Sequence, residues 1–153
     1  MNNSNRYLCF NLAAEEFAIP LISVREVIGV PEVTPIPQSP SYFLGIMNLR
    51  GQIISVLDLR TKFGIKSTRT EETAVIILDF VDYHLGVMVD QVNSVVELAE
   101  SEISERPQME SSKITEAIKG VFRKQDKLIL LIDVFKTLSI EDQSNLKKEK
   151  KVS

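Results

Sequence analysis

The sequence predicts a mainly β protein built from two small packed barrels. Three observations lead to this prediction. The chain contains many short runs rich in β-branched and aromatic residues, it leaves little room for long helices, and it uses one pattern twice. Many short strands with few helices are typical of small barrels. With 153 residues, 44% hydrophobic and 25% charged, the chain matches a soluble globular domain or two small, closely packed ones.

Seven segments have the length and composition of strands. They are residues 7–12, 16–19, 53–57, 73–80, 84–89, 95–98 and 127–132. Five prolines lie within residues 20–40, and because each lacks a backbone N–H they exclude a long helix or a central strand there. Short helical turns are predicted at residues 21–27, 58–63 and 133–138. The last two begin with Asp, whose carboxylate can accept hydrogen bonds from the free N–H groups of a first turn.

The two halves of the chain share a pattern of apolar residues. Apolar positions of the first half recur 68 residues later, where residues 10, 12, 17, 24, 27 and 28 correspond to residues 78, 80, 85, 92, 95 and 96. A second block recurs with an offset of 75, since Gly45 and Asp58 correspond to Gly120 and Asp133. The second half therefore carries about seven extra residues within residues 99–119. A repeat of this size predicts that the same small fold is used twice.

Composition restricts the class of protein. The net charge of −3 argues against broad nucleic-acid binding, because phosphate contacts need a basic surface. A nucleic-acid-binding barrel stays a remote alternative, since Trp is absent and lysines cluster only near the C-terminus. The polar first residues and the lack of any run of about 20 apolar residues predict neither a signal peptide nor a membrane span. Cys9 is the only cysteine, so we expect no internal disulfide and a cytoplasmic location.

The sequence offers no pattern typical of an enzyme. Neither of the common glycine-rich nucleotide-binding loops is present. His84 is the only histidine, so a zinc site or a catalytic triad is not expected. Asp58 and Asp133 already have a capping role, so paired acid–base catalysis is not indicated. We therefore predict a protein that is not an enzyme and that needs no cofactor or metal.

One segment resembles the signature of the CheW family. Residues 45–60 read Gly-Ile-Met-Asn-Leu-Arg-Gly-Gln-Ile-Ile-Ser-Val-Leu-Asp-Leu-Arg. In that signature Asn-Leu-Arg-Gly leads through an apolar run to Asp-Leu-Arg. Flanking blocks at residues 17–28, 85–92 and 120–138 resemble the family in the same order. Many members carry Pro in the apolar run where this chain has Ser55, a difference that should be neutral for the fold.

The resemblance implies two packed five-stranded SH3-like β-barrels with a few short helices, in a single domain over residues 6–138. In the family the first strand crosses over to complete the second barrel. We therefore expect one subdomain over about residues 12–70 and the other over residues 6–11 and 71–138. Residues 139–153 are rich in lysine and are predicted to form a polar, disordered tail. The chain has no room for the additional domains of CheA or CheV, which favours a stand-alone adaptor.

The resemblance also implies a function. CheW-like proteins are non-enzymatic scaffolds that couple methyl-accepting chemoreceptors to the histidine kinase CheA in bacterial chemotaxis. The expected partners are therefore the cytoplasmic tips of such receptors and the regulatory domain of CheA, with no nucleic acid and no insertion into the membrane. The protein would be cytoplasmic and recruited to membrane-associated receptor arrays. An adaptor of a pilus, gliding or developmental kinase pathway remains an alternative, because the fold and the groove would be shared.

By position, the resemblance assigns eight residues to receptor binding: Val24, Glu26, Val27, Arg50, Ile53, Ala74, Val92 and Val95. The six apolar ones would line a groove between the barrels that receives the helical hairpin tip of the receptor, with ordinary core packing as the alternative for each.

Arg50 is the polar residue of greatest interest in this set. Its planar guanidinium can hold a carboxylate in fixed geometry, so we predict an ion pair with Glu26. That pair would hold the helical turn 21–27 against the Asn-Leu-Arg-Gly segment. Gly45 and Met109 are assigned to contacts with the kinase or the array. A backbone role is the alternative for Gly45, and a solvated loop is the alternative for Met109.

Overall fold

The structure of the protein is a computed structural model that describes residues 5–66, 69–80, 83–105 and 116–137. The described chain is mainly β, as predicted, with the helix α1 (Leu59–Lys62) and 3-10 helices at Leu21–Ser23, Glu100–Glu102 and Val134–Thr137. The strands are β1 (Arg6–Leu12), β2 (Glu15–Pro20), β3 (Val24–Gly29), β4 (Phe43–Leu49), β5 (Gln52–Asp58), β6 (Ala74–Asp79), β7 (His84–Val89), β8 (Gln91–Glu97), β9 (Ile118–Lys124) and β10 (Lys127–Ile132).

All seven predicted strands are present with small shifts in their bounds, whereas β3, β4 and β9 were not predicted. The helical turn predicted over residues 21–27 is wrong beyond residue 23, because β3 begins at Val24 and pairs antiparallel with β6. A β-bulge between Val24 and Glu26 explains the error. The bulge adds a residue to the strand, so apolar side chains three apart share one face and imitate the spacing of a helix. Asp58 caps α1 as predicted, accepting from the backbone N–H groups of Arg60 and Thr61.

The strands form two five-stranded sheets with the orders β8-β1-β2-β10-β9 and β3-β6-β7-β5-β4. The offset of 68 relates β1, β2 and β3 to β6, β7 and β8, and the offset of 75 relates β4 and β5 to β9 and β10. Replacing each strand of one sheet order by its counterpart in the other half gives the second sheet order. The register also agrees, since Phe10 pairs with Phe17 as Leu78 pairs with Leu85. The predicted repeat of one small fold is confirmed.

Each half of the chain contributes its first hairpin to the sheet of the other half. We call the sheet of β3–β7 barrel 1 and the sheet of β1, β2 and β8–β10 barrel 2. The predicted subdomain boundaries are therefore wrong, because β2 belongs to barrel 2 and β6 and β7 belong to barrel 1. The physical reason is the short turn between β1 and β2, in which Leu12 pairs with Glu15. A strand that crosses over takes its hairpin partner with it. The predicted tail, residues 139–153, lies outside the described residues.

Each sheet closes through a short segment that follows an edge strand. After β3, Thr34 pairs with β4, and after β8, Ser104 pairs with β9. A Cβ on Gly45 would lie 2.1 Å from the backbone oxygen of Thr34, and one on Gly120 would lie 2.9 Å from that of Ser104. Gly45 also has φ of +139°, a conformation that side chains disfavour. These two corresponding glycines therefore permit the close approach that closes each barrel.

Strand alternation divides the apolar side chains among three cores. The interior of barrel 1 contains Met47, Ile54, Val56, Val75, Ile77 and Met88. The interior of barrel 2 contains Cys9, Ala18, Leu98, Phe122, Ile129 and Leu131. The third and largest cluster takes residues from both barrels, and we call it the inter-barrel core. Burying one large apolar side chain of this kind contributes about 1.5–3 kcal/mol, so the inter-barrel core joins the two barrels firmly.

Candidate functional site

The edge strand β3 carries two of the predicted receptor-binding residues on one face. Val24 pairs with Leu78 and Val27 pairs with Ile76 across the bulge. Both partners on β6 belong to the inter-barrel core. Because paired residues point to the same side of a sheet, Val24 and Val27 also face that side.

The edge strand β8 of barrel 2 repeats this arrangement. Val92 pairs with Phe10 and Val95 pairs with Leu8, again across a bulge, and both partners belong to the inter-barrel core. Val92 and Val24 are half-buried and pack against that same core. Val95 and Val27 are 48% and 41% exposed. The four valines thus form two equivalent pairs, each with one side chain against the core and one in solvent. We call them the valine face.

Ala74 and Ile53 lie on the same outer side of barrel 1. Ala74 pairs with Gly29 at the end of β3, and its alternation with Ile76 places it on the side of the inter-barrel core. Ile53 alternates with Leu57, another residue of that core. Both are half-buried. The six predicted apolar residues therefore share a side of their sheets, and the barrel interiors are filled by others.

The predicted ion pair between Arg50 and Glu26 is present. One guanidinium nitrogen of Arg50 donates to both carboxylate oxygens of Glu26, at 2.8 and 2.7 Å. Arg50 lies in the β4–β5 turn with φ of +52°, and the neighbouring Gly51 N–H donates to the side chain of Asn48. The pair joins this turn to β3, which is a strand and not the predicted helical turn. The Arg50 side chain is 64% exposed, and such surface pairs contribute only about 0–1 kcal/mol to stability.

Sequence reasoning missed the polar neighbours of this pair. Arg25 donates to the side chain of Gln52 at 3.0 Å and lies 3.4 Å from Nε2 of His84. His84 in turn contacts Asp79 through its other ring nitrogen. No sequence signal joins these four residues, because strand pairing and barrel closure bring them together. The contacts give His84 a structural role at the surface of barrel 1.

A buried charged network beside α1 was also missed. Arg60 is only 5% exposed and holds both oxygens of Asp58, at 2.9 and 3.1 Å. It also donates to Asp90 at 3.0 Å and lies 3.3 Å from the sulfur of Met88. Hydrogen bonding to Asp58 is the largest effect, and it raises the pKa of Arg60 against the opposing effect of burial. The Asp-Leu-Arg spacing was the available signal, but it pointed only to a helix cap.

Gly45 and Met109 were predicted to contact the kinase or the array. Gly45 is buried, which supports its backbone role, and its contact with a kinase stays a prediction. Met109 lies outside the described residues. Among the residues that the structure describes, no three His, Cys, Asp or Glu side chains are grouped to hold a metal ion. Within that same part of the chain, no helix has the length and apolar character needed to cross a membrane.

Known proteins resemble this chain over most of its length. The chemotaxis protein CheW of Klebsiella aerogenes is 34% identical over 139 residues, which cover 90% of this chain and 84% of that protein. The crystal structure of the scaffolding protein TtCheW from Thermoanaerobacter tengcongensis superposes with a TM-score of 0.77 at 31% identity, covering 85% of this chain and 89% of that one.

A protein with a different name matches more weakly. Protein PilI of Pseudomonas aeruginosa is 26% identical over 118 residues, which cover 76% of this chain and 66% of that protein. The family described as CheW-like domain matches residues 6–142, which include every strand of the two barrels. This chain therefore belongs to the CheW-like domain family.

Proposed function

We propose that this chain is a non-enzymatic scaffold of bacterial chemotaxis that couples chemoreceptors to the histidine kinase CheA. The observation that carries the proposal is the valine face, in a chain that belongs to the CheW-like family. Val27 and Val95 leave apolar surface in water at equivalent places beside the inter-barrel core. Burying such surface against a partner contributes about 25 cal/mol of favourable free energy for each Å². The valine face therefore favours contact with another protein.

A helical receptor tip is the partner that fits this face best. A helix presents apolar side chains along one side and gains affinity by laying them in a groove between packed elements. The half-buried Val24 and Val92 would form the floor of such a groove, and Val27 and Val95 would form its walls. The exposed pair of Arg50 and Glu26, whose acidic member directly precedes Val27 on β3, would add a polar rim to the groove, as is usual at protein interfaces.

The regulatory domain of CheA is the second proposed partner. Scaffolding by the protein acts through position, because holding the kinase near receptor tips raises its effective concentration. Receptor conformation can then bias kinase activity through a coupling free energy between the two contacts. The mechanism needs no cofactor from this chain, and it places the protein at the cytoplasmic face of receptor arrays.

A related kinase pathway is the second candidate function, favoured by the match to PilI. The match to PilI has lower identity than the match to the chemotaxis protein CheW of Klebsiella aerogenes. It also covers a smaller share of the matched protein, 66% against 84%. The balance favours chemotaxis. Co-purification from the native cell decides between them, since the kinase that is recovered identifies the pathway.

A charge placed on the valine face tests the proposal. Val95→Lys should leave the melting temperature nearly unchanged, because this side chain is half in water already. It should abolish the micromolar-class binding of a soluble receptor-tip fragment, measured by titration calorimetry, because a lysine in an apolar contact loses its hydration. Full binding by a folded Val95→Lys protein would refute the proposed face.

Two matched variants sharpen this test. Leu128→Lys places the same charge on a more exposed apolar position of β10, outside the predicted site, and should keep full binding. Val96→Lys changes the next residue along β8, which packs against the interior of barrel 2, and should unfold the protein. Absence of binding by the unaltered protein to both receptor tips and the CheA regulatory domain would reject the scaffold function itself.

A further inference from the structure

The two ends of the inter-barrel core differ although the two halves of the chain correspond. At one end, Arg60 of α1 holds Asp90, which directly precedes β8. The offsets of 75 and 68 place Phe135 and Ile22 at the corresponding positions of the other end. Those two apolar side chains are 39% and 69% exposed, whereas Arg60 is 5% exposed. An ionic contact therefore fixes one end, and the other end has apolar residues in the same two places.

Asp90 connects three elements at the fixed end. Its backbone N–H donates to the carbonyl of Asn11 at the end of β1, at 3.0 Å. One carboxylate oxygen accepts from the backbone N–H of Ala13 in the β1–β2 turn, and the other accepts from Arg60. The first strand and its turn belong to barrel 2, while α1 follows the last residue of β5 in barrel 1. Asp90 is also the single residue between β7 of barrel 1 and β8 of barrel 2, so its contacts with Arg60 and Ala13 brace the junction of the two barrels.

The position of Arg60 is itself tightly held. Its guanidinium binds both oxygens of Asp58, and Asp58 also caps α1. A guanidinium bound to a carboxylate through two nitrogens has a defined plane and direction. Asp90 must therefore meet Arg60 in one orientation, and a buried charge that lost this contact would be left poorly solvated. Apolar contacts tolerate sliding far better, so the two ends differ in how firmly they fix the barrels.

We propose that Arg60 is a positioning residue for partner binding, because by holding Asp90 it sets where β8 lies relative to barrel 1. Val92 and Val95 follow Asp90 on β8, while Val24 and Val27 belong to barrel 1. The shape of the valine face therefore depends on the angle between the barrels, and Arg60 braces that angle at one end of the inter-barrel core. Arg60 is too buried to touch a partner directly. This inference rests on the proposed function, since it concerns the same face.

Two variants test it. Asp90→Asn removes the charge and keeps the shape of the side chain. The double variant Arg60→Phe with Asp90→Ile replaces both charged residues by the apolar residues that occupy the corresponding positions at the other end. We expect the relative orientation of the barrels, measured by residual dipolar couplings, to change in both. Affinity for a receptor-tip fragment should fall roughly 3- to 30-fold, the range seen when a packed element remote from the ligand is altered.

A variant that is destabilised away from the contact of Arg60 with Asp90 provides the control. Ile54→Val trims a buried residue of barrel 1 interior and should lower the melting temperature without changing affinity or orientation. Unchanged couplings and unchanged affinity in Asp90→Asn would overturn the inference, as would an equal loss of affinity in Ile54→Val. If the unaltered protein binds no receptor fragment, the proposed function fails on its own, and the couplings still decide whether Arg60 orients the barrels.

Discussion

The two barrels share a backbone and differ in the chemistry that it carries. The residues that correspond to Glu26 and Arg50 are Ser94 and Gln125. Arg50 and Gln125 both have positive φ, of 52° and 57°, so the two hairpin turns have the same bend. Barrel 1 places an ion pair there, and barrel 2 places neutral groups. The comparison teaches that the backbone repeats because apolar spacing repeats, while the charged side chains at the turn do not repeat.

The polar contacts beside these turns give the same lesson. Arg25 approaches His84 in barrel 1, and at the corresponding positions of barrel 2 Asn93 donates to Glu16 at 3.0 Å. The same pair of positions meets in both barrels because β3 and β8 are the same edge strand in each repeat. Geometry alone brings the two positions together. The residue types then decide the sign of the charge at the contact, which comes from Arg25 in barrel 1 and from Glu16 in barrel 2.

The largest difference that we predict between the barrels concerns their closing glycines. Gly45→Ala should lower the free energy of unfolding by roughly 3–5 kcal/mol, because it adds backbone strain to a collision with the Thr34 carbonyl. Gly120→Ala should lower it by about 1–3 kcal/mol, since a Cβ there would lie 2.7 Å from a methyl group of Ile103 and 2.9 Å from the Ser104 carbonyl oxygen, against 2.1 Å from the Thr34 oxygen at Gly45. Urea unfolding of both variants measures the difference. Equal losses would show that the two closures are equally tight.

Much of this architecture could be predicted from the sequence, for reasons that particular residues show. Short apolar runs predicted the observed bounds of β7 and β10, and the recurrence of apolar positions, with that of Gly45 as Gly120, predicted the repeat. The strand β3 was missed because its bulge hides the alternation. The exchange of hairpins was missed because apolar spacing defines strands and does not say which sheet each strand joins.

The candidate site could also be predicted only in part. The pair of Glu26 and Arg50 could be predicted because a family resemblance placed both residues, and charge complementarity did the rest. The resemblance assigned Val27 and Val95 to a groove, but core packing stayed an alternative, since a valine in a strand reads the same on either face. The contact of Arg60 with Asp90 joins α1 to the residue between β7 and β8, 30 positions later in the chain, and no local sequence pattern indicates it.

An intermediate effect is predicted for the barrel interiors at high pH. Cys9 lies in the interior of barrel 2, at the position that Ile77 occupies in barrel 1. Burial, with a smaller effect of Glu16, raises the pKa of the Cys9 thiol to about 11. An unfolded thiol loses its proton near pH 8.5, so the contribution of Cys9 is fully present below that pH and is lost as the pH rises to about 11.

The expected loss from this thiol is about 2–3 kcal/mol, and Cys9→Ala should remove it. The measurement is the free energy of unfolding at pH 8, 9, 10 and 11, compared between the two proteins. Because other groups titrate in the same pH range, the effect of Cys9 is the difference between the two proteins in how steeply the free energy of unfolding falls with pH. Parallel slopes would mean that the interior of barrel 2 admits water to the thiol.

The smallest effect on stability is predicted where the two barrels differ most. The double variant Glu26→Ser with Arg50→Gln gives barrel 1 the residues of barrel 2, and it should change the free energy of unfolding by less than about 1 kcal/mol, because the pair is exposed. Affinity for a receptor-tip fragment should nevertheless fall, since the polar rim beside the valine face would lose both charges.

Ser94→Glu with Gln125→Arg, which builds the pair on barrel 2, serves as the control and should not restore affinity when added to the first variant. Restored affinity would mean that either barrel end can present the charges, and that net charge matters more than the place of the pair.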